Sequence, residues 1–288
     1  MSETSTDPHG DTILGLLGQQ ILSTYTQICF GFPVAVAQSF SRIVESLEDA
    51  LMKLYAAFPW LAGRIVNESV SRSSTGVFKI EPQSERCRFP MKDLCQDLSF
   101  PSLEILRLAG FPVDASDENV VAPRRRQIDV GQWSSPEVLL TQATLIQGGL
   151  LLTFLGHHQA MDGVGQDQII RLFSKVCRKE DFIEEERSIC DLTESSTIPL
   201  LNESSELPSN LDYQIINSQS SSSRSDSQPR SDCTWAYFSF SQSSLGALKS
   251  NAAQESPAKF ITTDDALSAS IWKAVTECHN SIYIRQSC

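Results

Sequence analysis

The chain has 288 residues, 41% apolar and 8% aromatic, enough to bury one large core or two modest ones, and this composition excludes a wholly disordered polymer. A formal net charge of −12 argues against a nucleic-acid partner, because phosphate contacts need a basic face. Eight cysteines (Cys29, Cys87, Cys95, Cys177, Cys190, Cys233, Cys278 and Cys288) form neither a CxxC pair nor a zinc-like spacing, so they read as reduced thiols.

The amino terminus, MSETSTDPHGD, is polar and acidic, and the apolar stretch after it is broken by Gly and Gln. Neither a signal peptide nor a membrane span is read there, and the expected compartment is the cytosol. From Ile21 to Phe32, residues such as Tyr25, Ile28, Cys29 and Phe30 favour a strand, closed by Pro33. Between Ser41 and Phe58, Ile43, Leu47, Leu51, Leu54 and Phe58 recur at three- and four-residue spacing and predict an amphipathic helix ended by Pro59. PWLAGRIV then leads into a hairpin whose turn lies within 69–76 and whose return strand is VFKIEP.

No regular structure is predicted over 83–136, which holds the only dense basic run, Arg124, Arg125 and Arg126, read as a solvated loop with a local anion site as the alternative. Two strands follow, EVLLTQATLI and LLLTFLG, with Gln147, Gly148 and Gly149 between them as a tight antiparallel connection. The second is apolar on both faces and therefore central. After it come HHQAMDG and a helix over Gly165 to Lys179, with Ile169, Ile170, Phe173, Val176 and Cys177 as its core stripe. Residues 180–232 turn acidic and then Ser-rich, which predicts a crossover linker at 191–232 between an N-terminal domain (1–190) and the start of a second domain (233–288). In that second part CTWAYFSFS predicts a strand and SLGALKSNA a short helix. TTDDALSASIWKAVTECH predicts a longer helix capped by Thr262 and Asp265, with Leu267, Ile271, Val275 and Cys278 on its apolar face.

Four histidines occur: His9, His279, and the adjacent pair His157 and His158 at the junction of a buried strand and a helix. Ligands commonly bind at such a sheet edge. Successive residues of an extended backbone point to opposite sides, so one histidine at most faces a given cleft. A neutral imidazole with a pKa of about 6.5 can take a proton from a hydroxyl, a role contributing roughly 10²- to 10⁴-fold in rate. His158 is the candidate. Asp162 either holds the imidazole or braces the loop, and Gly163 allows a positive φ for a sharp turn. Adjacent residues that diverge make a poor metal site, and the chain has no GxSxG, GxxxxGK or GxGxxG pattern.

HHQAMDG resembles the HHxxxDG signature of the chloramphenicol-acetyltransferase-like superfamily, which includes the BAHD acyltransferases and peptide-synthetase condensation domains. PWLAGRIV, TTDDALSASIW and CTWAYFSFSQSSLGALK are similar to further segments of that superfamily, the last to fungal members resembling trichothecene 3-O-acetyltransferase. The resemblance implies an α/β, two-domain chloramphenicol-acetyltransferase-like fold with mixed sheets, here with the second domain incomplete. It also implies a monomer that binds no resident cofactor and uses acyl-CoA, acetyl-CoA in particular, as co-substrate with a small-molecule alcohol or amine acceptor. His158 would be the catalytic base, while His157, Asp162 and Gly163 support the loop. Asp162 would pair with an arginine of the second domain, for which Arg285 is the nearest candidate. The DFGWG motif usual in the family is absent, and Gln19 stands where an aspartate is common. The competing expectation is a C-terminally truncated remnant that at most binds a ligand.

Overall fold

The computed structural model describes residues 11–20, 22, 24–34, 40–68, 76–83, 89–112, 117–128, 135–189, 238–255, 258 and 260–286, with side chains for all of these except 189, 255 and 279–286. The chain divides into two compact units, Met1–Arg224 and Ser225–Cys288. The linker read at 191–232 lies outside the described residues.

The first unit is built on two sheets. One is three-stranded in the order β1-β4-β3, from β1 (Thr12–Ile13), β3 (Arg64–Glu68) and β4 (Val77–Glu81), all antiparallel. The other runs β2-β7-β6-β5, from β2 (Tyr25–Pro33), β5 (Met91–Asp93), β6 (Leu139–Ile146) and β7 (Gly149–His157). Only β5 is parallel to its neighbour, so this sheet is mixed. The β6–β7 hairpin closes through Gln147 and Gly148, pairing Ile146 with Gly149, and Gly148 takes the positive φ (81°) that only glycine adopts without strain.

All nine residues of β7 are buried, and the strand's period of two explains why. Leu152 and Phe154 face a core shared with Leu51 and Leu54 of α1 (Phe40–Ala57), Ile65 of β3, Ile80 of β4, and Ile169 and Phe173 of α4 (Gly163–Cys177). Leu151 faces the other way, onto Leu103 and Leu106 of α2 (Leu103–Leu108) and Val121 of α3 (Glu118–Val121). The α1 stripe is buried as its spacing predicts, deepest at Leu51, Leu54 and the following Phe58. Leu172 joins the α4 stripe, which the sequence pattern did not include. PWLAGR folds as a 3-10 turn over Pro59–Ala62, and a Cβ at Gly63 would collide with Ile80 Cγ2, so the motif glycine permits close contact with β4.

The region 83–136 is more ordered than its sequence suggests, holding β5, α2 and α3. Its arginine run is a loop, as read, with Arg125 exposed and each of the three side chains held by a local partner. Arg124 lies 3.8 Å from Glu137 and stacks over Tyr25, Arg125 donates to Asn119 Oδ1, and Arg126 donates to Glu118 Oε1 at 3.2 Å. A short helix, α5 (Glu184–Ile189), follows α4 in the acidic stretch.

The second unit contributes α6 (Gln242–Glu255) and α7 (Thr263–Gln286), packed on each other. Thr262 and Asp265 form the predicted reciprocal cap: Thr262 N–H donates to Asp265 Oδ2 at 2.7 Å, and Asp265 N–H to Thr262 Oγ1 at 3.0 Å. Two expectations fail here. The strand read at 233–241 falls partly outside the described residues, and the described part, Phe238–Ser241, is not a strand. The α7 stripe is not buried, since Ile271 and Val275 are 51% and 52% exposed, Cys278 is exposed and Leu267 is only half-buried.

Candidate active site

The histidine pair sits at the carboxyl end of β7, and the strand's alternation separates the two side chains as expected. His157 is the last residue of β7 and fully buried, whereas His158 is exposed. The backbone holds both. His157 N–H donates to Val138 O at 2.9 Å and His158 N–H to Thr24 O at 3.0 Å, so the chain stays tied to β6 on one side and to the approach of β2 on the other. His157 O then accepts the N–H groups of Ala160 and Met161 at 3.0 and 3.2 Å, which closes the turn.

The imidazole of His157 packs edge-on to Tyr25, with centroids 4.9 Å apart, and its Nδ1 accepts the Gln159 N–H at 3.3 Å. That bond assigns the proton of the neutral ring to Nε2. Burial, reinforced by the positive charge of Arg124 and by His158, pushes the His157 pKa down to about 4. The ring is therefore neutral at physiological pH, and the residue's backbone N–H and carbonyl are both engaged in hydrogen bonds. Tyr25 is fixed in turn by its hydroxyl, which donates to Glu137 O at 2.8 Å.

Asp162 is the N-cap of α4, and its carboxylate accepts the Gly165 N–H at 2.8 Å. That bond caps the helix which follows the turn. The arginine partner implied by the family is not described, because the Arg285 side chain lies outside the described residues. Gly163 corrects an expectation: it is the first residue of α4, has no positive φ, and a Cβ there would meet nothing within 4 Å. The sharp turn comes from the His157 carbonyl and the extended Asp162 backbone (φ −86°, ψ −173°), not from glycine's freedom.

Two buried glutamines, Gln159 and Gln166, carry no periodic signal and were missed in the sequence, while Gln19, noted there only as standing in place of an aspartate, is half-buried. Gln166 fills the space above Gly156 and donates to Thr26 O and Phe154 O at 3.1 and 3.3 Å. Gln159 donates to Gly18 O at 3.0 Å. Gln19 donates to Leu14 O and Phe78 O and accepts the Phe78 N–H, at 2.7 to 2.8 Å. Among the described residues no group of three His, Cys, Asp or Glu side chains is placed to hold a metal ion. A groove of about 680 Å³ lined by Gly31, Leu103, Phe111 and Gln147 opens at the opposite end of β7, roughly 26 Å from His157 at about 3.3 Å per residue.

An exposed histidine thus stands beside a buried neutral one, where a central strand runs through a short turn into a capped helix at the sheet edge. Residues 24–177 match the trichothecene 3-O-acetyltransferase-like N-terminal domain family. The chain belongs to that family, and its fold is the α/β, chloramphenicol-acetyltransferase-like one. It is 45% identical over 271 residues to an O-acetyltransferase of Cryptosporiopsis sp., covering 92% of this chain and 58% of that protein. It is 37% identical to the trichothecene 3-O-acetyltransferase of Saccharomyces cerevisiae, covering 93% of this chain and 59% of that one. The crystal structure of the Fusarium sporotrichioides trichothecene 3-O-acetyltransferase with coenzyme A and T-2 superposes with a TM-score of 0.77 at 43% identity, over 91% of this chain and 58% of that protein. The chain thus spans somewhat under two thirds of the length of these relatives. No helix among the described residues is long and apolar enough to cross a membrane.

Proposed function

We propose that this chain is an acyl-CoA-dependent O-acyltransferase that moves an acetyl group from acetyl-CoA to a hydroxyl of a small secondary metabolite, with His158 as general base. The observation that carries the reading is the placement of His158, exposed while its backbone is fixed at the end of β7. In the reaction the acceptor hydroxyl gives its proton to the His158 imidazole as its oxygen attacks the thioester carbonyl carbon. The carbon–sulfur bond then breaks, and the departing CoA thiolate takes the proton back as the free thiol. No acyl-enzyme forms. His157 and Asp162 shape the loop, Gly163 begins the helix after it, and none of the three touches either substrate. The relatives' printed activities, O-acetylation and trichothecene 3-O-acetylation, support an alcohol acceptor. On this reading the protein is a cytosolic monomer without a resident cofactor.

The test is a mass-spectrometric assay of purified protein with acetyl-CoA and a panel of terpenoid and alkaloid alcohols. A product heavier by one acetyl group, formed by the wild type and lost in His158→Ala, supports the proposal. Absence of product, or a product that His158→Ala still forms, overturns it. Binding of acetyl-CoA without turnover would favour the alternative, a chain that only binds ligand.

A further inference from the structure

We infer that the 3-10 turn Leu17–Gln19 is a positioning element for His158, and that Gln159 is the positioning residue that couples the two. The inference rests on the reading of His158 as the base. Gln159 directly follows His158, and its side chain runs the other way, 5% exposed, to donate to Gly18 O at 3.0 Å. At Gly18 the turn comes so close that a Cβ would lie 2.8 Å from Gln159 O and from Leu14 Cβ. The catalytic loop and the turn therefore meet backbone against backbone.

The turn is itself immobilised. Gln19 spans two carbonyls and one N–H, tying the turn to Leu14 and to Phe78 of β4. A path of hydrogen bonds and one peptide link runs from the three-stranded sheet through Gln19 and Gly18 to Gln159, the residue beside the base. His158 N–H reaches Thr24 O, a few residues beyond the same turn. Both anchors of the His158 backbone thus lie in one short segment preceding β2. An exposed imidazole has few contacts of its own to fix it, so the position of its Cα decides where its nitrogen meets the acceptor. A misplacement of about 1 Å costs on the order of 10²-fold in rate. An aspartate in place of Gln19 would be one methylene shorter and, ionised, could donate to neither carbonyl.

The test uses the full chain and the variant Gln159→Met, which keeps the shape and removes the donor, with two readouts. In the acetyl-transfer assay kcat is expected to fall roughly 10- to 100-fold while the KM for acetyl-CoA stays within about twofold. In amide hydrogen exchange, the His158 and Ala160 N–H groups are expected to exchange at least about tenfold faster while those of Leu152 to Leu155 are unchanged. Unchanged loop exchange, or acceleration spread equally over β7, overturns the inference, as does a normal kcat. Should Gln159→Met fail to fold, Gly18→Ala separates the same backbones and gives the same readouts. If the wild type shows no turnover, the base assignment fails, and exchange alone then decides whether Gln159 clamps the loop.

Discussion

Acidification should destabilise the protein through His157 before its carboxylates titrate. The buried ring has a pKa of about 4 against 6.5 for an unperturbed histidine. Folding therefore favours the neutral form, and between these values the unfolded chain binds more protons than the folded one. Stability from this group is fully present above pH 6.5 and is lost as the pH falls toward 4. At 1.36 kcal/mol per unit, the gap corresponds to about 3 kcal/mol, an upper figure. Carboxylates held below their usual range, such as Glu104 by Arg107 and Glu186 by Lys175, follow the same sign but lose their contributions only as the pH drops below about 4.5. Urea unfolding of wild type and His157→Gln, followed by tryptophan fluorescence at intervals from pH 7.5 to 4.5, separates the two. Groups common to both proteins cancel in the difference, which should move by up to about 3 kcal/mol against the wild type on going down in pH. A difference that stays flat over this range would refute the assignment of a buried neutral His157.

Asp162→Ala should cost about 1 kcal/mol by uncapping α4, while Asp162→Asn, still able to accept the Gly165 N–H, should keep most of that stability; thermal unfolding of both variants checks this. Gly63→Ala should destabilise by about 1 to 3 kcal/mol, because the added methyl meets Ile80 Cγ2 and the Glu81 carbonyl, and a midpoint in urea like that of the wild type would contradict the contact. Thr262→Ala should loosen the start of α7 by about 1 kcal/mol, seen as faster exchange of the Asp265 amide.

What could be read from the sequence was what has a period. The α1 stripe, the run of β7 that is apolar on both faces, the glycine turn before it and the Thr262–Asp265 cap are each set by neighbours a few residues apart, and each appears where expected. The strand alternation also predicted that His157 and His158 would part company. Elements fixed by distant contacts left no such trace. β5 is three residues long and exists because Ala143 to Leu145 offer it a parallel edge. The arginine run takes its partners from Glu118 and Glu137, and the side chains of Gln19, Gln159 and Gln166 find theirs in backbone carbonyls elsewhere in the chain. Gly163 misled in the other direction, because a glycine in a loop suggests a left-handed residue where a capped helix start needs none. The α7 spacing was real, but periodicity cannot say whether a face is covered.

The central claim is that His158 takes the proton of an alcohol that attacks a CoA thioester. Single-turnover acetylation by the full chain, with acetyl-CoA and an accepted alcohol, measured by mass spectrometry for wild type and His158→Ala, tests it most directly. The account predicts acetylated product from the wild type, a rate lowered at least about 10²-fold in the variant, and thermal unfolding of the two proteins alike because the side chain is exposed. Equal rates for the two proteins would contradict it.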